Sequence, residues 1–205
     1  MPENNLDYDV LAEDNIRTLH VPNVAFKKPI CIILVGIPSS GKSFLTKRLA
    51  EKFPLTVFSE EDTTAFMSPR ATIFKRNAVE VFQLAVKTIE HLIKKGRACI
   101  YDANIKTIEQ RKLIKRIVEQ LGGSYLIIFV DCPREVCYER LQKHNLGVNR
   151  GEEKGFILDK DFFEYEAAST HRPAVDEYHL TFDGQNPENA YEIESVVEKR
   201  LAGLN

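Results

Sequence analysis

Gly36-Ile37-Pro38-Ser39-Ser40-Gly41-Lys42-Ser43 stands between an apolar run, Ile30-Cys31-Ile32-Ile33-Leu34-Val35, and a stretch where Phe44, Leu45, Leu49 and Phe53 recur at helical spacing. The apolar run lacks alternation, as expected of a strand buried on both faces. Lys47, Arg48, Glu51 and Lys52 fill the polar side of the following segment, which predicts an amphipathic helix. A glycine-rich turn between a buried strand and a helix start is the setting of a phosphate-binding loop. Successive backbone N–H groups there face one concavity, and the helix N-terminus adds partial positive charge. Gly36 and Gly41 allow backbone angles closed to other residues. Lys42 is placed to reach the β- and γ-phosphates of a nucleotide, and the Ser43 hydroxyl to join a Mg²⁺ shell.

Outward from this loop the chain alternates strand and helix. Leu55-Thr56-Val57-Phe58, Ala98-Cys99-Ile100-Tyr101, Tyr125 to Val130 and Tyr178 to Phe182 are predicted strands. Helices are expected between them: one carrying Val79, Phe82, Leu84, Ala85, Ile89, Leu92 and Ile93 and closed by Gly96, and one running from Ile108 to Leu121 and stopped by Gly122-Gly123. Pro133 opens a third, Phe162 to Glu166 begin a short one, and Pro187 and Glu188 start the last. Five β-α units imply an α/β fold, a five-stranded parallel sheet covered by helices on both faces with right-handed crossovers. Residues 1–28 are polar and irregular and read as an N-terminal extension, with an arm packed on the domain equally open. The domain itself is expected over residues 29–205.

In open α/β sheets ligands bind beyond the C-terminal ends of the strands, so the residues there are the candidates. Ser59-Glu60-Glu61-Asp62 follows the second strand. Its acids suit either the first turn of a helix or a carboxylate that accepts a proton from an attacking hydroxyl. Asp102-Ala103-Asn104 follows the third strand, where an acid suits a Mg²⁺ shell, acceptor binding or a cap on the next helix. Residues 63–76 read as a loop that contacts the acceptor, with Arg70, Lys75 and Arg76 as its cations. Arg140, Lys143 and His144 are predicted at the end of the Pro133 helix. Residues 145–160, with Gly147, Arg150, Gly151, Lys154 and Gly155, read as a lid over phosphates or as a charged surface loop.

The 205 residues suffice for one domain with a real core. A net charge of -2 argues against a general nucleic-acid coat protein and leaves room for a local basic groove. Four cysteines do not suggest a disulfide framework, and Cys132-x4-Cys137 lacks the second ligand pair of a zinc site. Apolar runs fall short of the ~20 residues that span a bilayer, so no membrane partner is expected and a reducing cytoplasm is the default setting.

In order along the chain, Gly36 to Ser43, the acids ending at Asp62, Tyr101-Asp102-Ala103-Asn104 with Arg111, Val130-Asp131-Cys132-Pro133 with Arg140, and Thr181-Phe182-Asp183-Gly184 together resemble P-loop kinases of the polynucleotide-kinase type. That group includes many predicted ATP-binding kinases and, more distantly, zeta toxins. The likeness spans roughly residues 30–203 and implies a nucleoside-kinase-like P-loop fold with a lid. It implies ATP and Mg²⁺ as cofactors, and transfer of the γ-phosphoryl to a hydroxyl of a nucleic-acid end, a nucleotide or another small molecule. It places a base after strand two: Asp62, twenty positions beyond Lys42, is preferred and Glu61 is second. It gives Arg140 a contact to phosphate or the adenine side, Asp102 the acid after strand three, and Glu61, Arg70, Asp102 and Asn104 the acceptor side. The family's acceptor arginine after the base is missing from Thr63-Thr64-Ala65-Phe66, which implies either that Arg70 substitutes or that the acceptor is not a polynucleotide end. The family's threonine-asparagine pair appears as Asn104-Ile105, and its second lid arginine as His144, with Arg150 and Lys154 as candidates for that role. Two other readings share the loop: a nucleotide-hydrolysing switch or assembly protein, and a toxin-like kinase of nucleotide sugars. The Asn-Lys-x-Asp and Asp-x-x-Gly strings of translation-type GTPases do not occur.

Overall fold

The computed structural model describes residues 7–67, 78–152 and 157–203. Five strands, β1 (Ile30–Val35), β2 (Thr56–Ser59), β3 (Cys99–Asp102), β4 (Ser124–Asp131) and β5 (His179–Asp183), form one sheet in the order β2-β3-β1-β4-β5. Every neighbouring pair is parallel. The expected α/β architecture is therefore the one observed.

Every residue of β1 is buried, with side chains alternating between two cores. Cys31, Ile33 and Val35 enter one layer with Ile89, Leu92, Ile114 and Val118. Ile30, Ile32 and Leu34 enter the other with Leu45, Leu49, Ile193 and Val197. The first layer is roofed by α4 (Ala78–Lys94) and α5 (Ile108–Gln120), the second by α2 (Lys42–Lys52) and α8 (Ala190–Leu201). Two covered faces explain why a central strand is uniformly apolar. A smaller cluster of Cys132, Cys137, Leu141 and Phe163 joins α6 (Arg134–Asn149) to α7 (Lys160–Ser169).

Upstream of β1, α1 (Tyr8–Thr18) packs on α4. Asp7 caps it by accepting from the Asp9 and Val10 N–H groups, and it buries Ala12 and Asn15. Asn15 donates to the Thr88 hydroxyl at 3.1 Å, and Asp9 meets His91 at 2.9 Å. The extension is thus an arm laid on the domain. Glu60–Met67 form α3 directly after β2, so residues 63–67 of the expected loop at 63–76 are helical, and residues 68–76 lie outside the described residues.

Several expectations change. Phe44 and Val79, placed on apolar faces by periodicity, are about half exposed or more, at 51% and 62%. Phe44 instead lays its ring along Phe182, with centroids 6.5 Å apart. The Pro133 helix does not end near His144: α6 continues to Asn149, so Lys143 and His144 lie within the helix rather than at its end, and the first five residues of the segment at 145–160 are helical. Asn145 explains the continuation, because its side chain clamps Leu158 from α6, donating to its carbonyl at 2.7 Å and accepting its N–H at 3.2 Å. Arg70, Lys75, Arg76, Lys154 and Gly155 lie outside the described residues.

Candidate nucleotide site

In a parallel sheet all strands end on one edge, and here that edge carries Gly36 to Ser43, Ser59 to Asp62, Asp102 to Asn104, and Asp183-Gly184. The crevice opens between β1 and β3, whose onward connections leave in opposite directions. Gly41 is the N-cap of α2 at φ 114°, a left-handed angle open to glycine, and Ser39 also has a positive φ of 60°. Lys42 Nζ donates to the carbonyls of Gly36 at 2.8 Å and Ile37 at 3.0 Å. Burial pushes the Lys42 pKa down, partly opposed by the charges of Asp102, Glu61 and Glu166.

Register decides what faces this lysine. Ser59 pairs with Asp102 across β2 and β3, so the acids opening α3 lie over the loop leaving β3. Asp102 is not the cap of α5; Thr107 is, in a reciprocal capping box with Gln110. Asp102 is instead half-enclosed beside the Ser43 hydroxyl. Burial and the Glu61 charge push its carboxyl up, against the pull of Ser43, Lys42 and Thr46. Ser43 and Asp102 share the wall of a depression of about 420 Å³.

The three acids after β2 divide their work. Asp62 Oδ2 accepts from the Ser59 N–H at 2.9 Å and the Ser59 hydroxyl at 2.6 Å, while the Ser59 hydroxyl accepts from the Asp62 N–H at 2.9 Å. Asp62 therefore starts the helix. The Glu61 charge acts on Lys42, Asp102 and Tyr101. Glu60, though its side chain reaches solvent, has its carboxyl pushed up by the surrounding protein and by Glu61. Lys106 and Glu166, for which no sequence motif points to a role, form an ion pair within the same field. Glu166 is a buried acid on a helix that also carries buried Phe163, a signal visible only once the α7 face is known.

Asn104 is committed at both ends of its amide. Its Oδ1 accepts from the Gly36 N–H at 3.3 Å, and its Nδ2 donates to the Thr170 hydroxyl at 2.7 Å. It ties the loop to the end of α7. Arg140 is also a tie: its guanidinium donates to the Ser40 carbonyl at 3.5 Å, the Gly184 carbonyl at 2.9 Å and the Cys132 sulfur at 3.6 Å. Gly184 presses so closely on the loop that a Cβ there would lie 2.1 Å from the Ser40 carbonyl oxygen. Burial raises the neighbouring Cys137 thiol to about 12. Arg150 is exposed just beyond α6, and His144 lies on the same helix.

Arg111 is fully buried away from the crevice. It forms a bidentate pair with Glu177, at 2.9 and 2.7 Å, and donates to the carbonyls of Ile105, Lys106 and His171 at 3.1, 3.2 and 3.1 Å. It fixes the loop that follows Asp102.

A family model described as an AAA domain matches residues 31–154, more than half of the chain. The chain belongs to this AAA domain family. The matched span holds β1 to β4, the phosphate loop, Glu61, Asp102 and Arg140, and lies within a P-loop, kinase-like nucleotide-binding fold. An adenylate kinase of Phocaeicola vulgatus is 22% identical over 160 residues, covering 72% of this chain and 83% of that protein. A sugar kinase from Janibacter sp. HTCC2649 superposes with a TM-score of 0.60 at 14% identity, over 85% of this chain and 96% of the other. Chaetomium thermophilum Kti12, solved in complex with ADP-AlF3, gives a TM-score of 0.62 at 13% identity, over 83% and 98%. At these identities the two structures establish the shared fold. No helix among the described residues is long and apolar enough to cross a membrane.

Proposed function

We propose that this AAA domain protein is an ATP- and Mg²⁺-dependent kinase of the polynucleotide-kinase-like group, transferring the γ-phosphoryl to a hydroxyl of a nucleic-acid end, a nucleotide or another small molecule. One observation carries the reading: Asp102 faces Ser43 within the field of both Lys42 and Glu61, so that an acid from each of two neighbouring strand ends converges on the phosphate loop.

A nucleotide entering the cradle offers phosphate oxygens in place of the Gly36 and Ile37 carbonyls, and Lys42 turns to them. Its depressed pKa returns upward as that negative charge arrives, so Lys42 acts as a full cation on the transferring group. Ser43 and Asp102 form an all-oxygen pair that fits Mg²⁺, which takes one or two carboxylates together with substrate phosphates. When bound, the ion supplies charge neutralisation between the β- and γ-phosphates. Glu61 is the base of choice rather than Asp62, because Asp62 spends both its backbone and side-chain groups on capping α3. The acceptor O–H gives its proton to the Glu61 carboxylate as the new O–P bond forms and the β–γ bridge bond breaks, the electron pair leaving on the β-phosphate. Arg140 holds the turn at Gly184 against the loop and so shapes the nucleoside end of the site. Asn104 is a positioning residue that holds Gly36 to α7. Arg150, with His144 and Lys154, is assigned to a closing lid, and Arg70 to the acceptor.

The test compares Glu61→Gln with Asp62→Asn in a γ-phosphate transfer assay. Glu61→Gln is expected to lower turnover by about two to four decades with unchanged thermal stability. The opposite pattern, with Asp62→Asn carrying the catalytic loss, would return the base to Asp62.

A further inference from the structure

Away from the phosphate loop, a cavity of about 670 Å³ runs along the flank of α5 toward the N-terminal ends of β4 and β5, where Gly122-Gly123-Ser124 enters the sheet. That volume is in the range of small-molecule sites, about 300–1,000 Å³. The phosphate loop, Glu61, Asp102 and Arg140 take no part in its wall.

Its charge is opposite to that of the whole chain. Lys28, Lys112, Lys115 and Arg200 line it against Glu119 and Asp176, and the remaining charged pair, Arg111 with Glu177, is mutually neutralised. The chain overall carries -2. Lys112 and Lys115 are exposed and lie one helical turn apart on α5. Lys115 meets Glu119 only at 3.9 Å, a loose exposed contact that leaves its charge largely available. The described partners of Arg200 are neutral: it donates to the Ser124 hydroxyl at 3.1 Å and the Tyr125 carbonyl at 2.8 Å, and lies 5.2 Å over the Tyr178 ring. Its guanidinium is therefore fixed in place without its charge being cancelled. Tyr125 also lines the cavity, with its hydroxyl buried out of reach of solvent.

We propose that this cavity is a second ligand site, separate from the nucleotide loop, that takes a small organic or inorganic polyanion bearing two or more phosphate or carboxylate groups. Lys112, Lys115 and Arg200 receive the charged groups, and the wall formed by Arg111 and Glu177 links occupancy to the loop that carries Asp102 and Lys106.

The experiment is an amide NMR titration of full-length Lys42→Ala protein, in which the nucleotide loop is disabled, with pyrophosphate in one arm and citrate in the other. Saturable shifts of the Gly122 and Gly123 amides are expected in at least one arm, and the responding arm identifies phosphate or carboxylate as the preferred group. Lys112→Glu/Lys115→Glu should raise the midpoint by about tenfold or more, because two reversed charges then face the anion. Arg200→Gln provides a second variant with a smaller charge change. Linear, unsaturable shifts in both arms would overturn the proposal, as would a midpoint indifferent to all three substitutions. The readout is binding alone, so its failure leaves the kinase reading untouched.

Discussion

Replacing Arg111 by methionine should be among the most damaging single changes in the chain, although the residue touches no part of the phosphate loop. The side chain is fully buried. Its removal leaves the Glu177 carboxylate with the Ala174 N–H, at 3.0 Å, as its remaining described donor. It also strips one donor from the carbonyls of Ile105, Lys106 and His171. Breaking one partner out of a buried ion pair costs about 3–5 kcal/mol. For a chain of this size each kcal/mol moves the melting temperature by about 2–4 °C, so the expected fall is about 6–20 °C. Differential scanning calorimetry and urea titration measure it. The decisive comparison is Arg111→Met/Glu177→Leu: replacing a whole buried pair by apolar groups is often near neutral, so the double variant should regain most of the loss. A single variant losing less than about 1 kcal/mol, or a double variant no better than the single, would refute the reasoning.

Three further outcomes are expected. Burial pushes the Glu177 carboxyl up, but the Arg111 hydrogen bond, the Ala174 N–H and the Arg111 charge outweigh it and hold the pKa below the ordinary 4.5. A depressed carboxylate contributes stability above its unfolded value and loses it as pH falls through the folded one, so Glu177→Gln should flatten the acid limb of the stability curve below about pH 4.5. Gly184→Ala forces a methyl to within 2.1 Å of the Ser40 carbonyl oxygen; calorimetry should show ATP-analogue affinity falling by about one to two decades, the equivalent of about 1–3 kcal/mol of overpacking. Asp62→Ala removes the acceptor for the Ser59 N–H and should cost about 0.5–2 kcal/mol in urea unfolding, as loss of a helix cap does.

The sheet was legible because burial on both faces leaves a plain imprint: β1 was expected at Ile30 to Val35 and is found there. The loop at Gly36 to Ser43 was equally plain, since its chemistry needs fixed residues at fixed spacing. What the sequence could not resolve depended on contacts between elements. Counting from Lys42 favours Asp62; the hydrogen bonds that join its side chain to Ser59 at the start of α3, and the action of the Glu61 charge on Asp102, depend on how the chain folds there. Asn104 and Arg140 were visible as polar residues near strand ends, but their partners, Thr170 and Gly184, come from 66 and 44 positions away. The end of α6 was misjudged for the same reason: the clamp from Asn145 to Leu158 prolongs a helix whose own sequence carries no strong periodic signal. The N-terminal arm is held by Ile16, Leu19 and Val21 packed against the core under α4 and α5, by the buried Asn15 amide and by a charged fringe around His91.

The kinase claim is tested most directly by following labelled γ-phosphate from ATP across a panel of 5′-hydroxyl oligonucleotides, nucleosides, nucleoside monophosphates, sugars and sugar nucleotides, with Lys42→Ala as the control. Label should appear on at least one hydroxyl acceptor and vanish from it in the Lys42→Ala protein. Label passing only to water across the whole panel, or transfer that survives Lys42→Ala, would contradict the account.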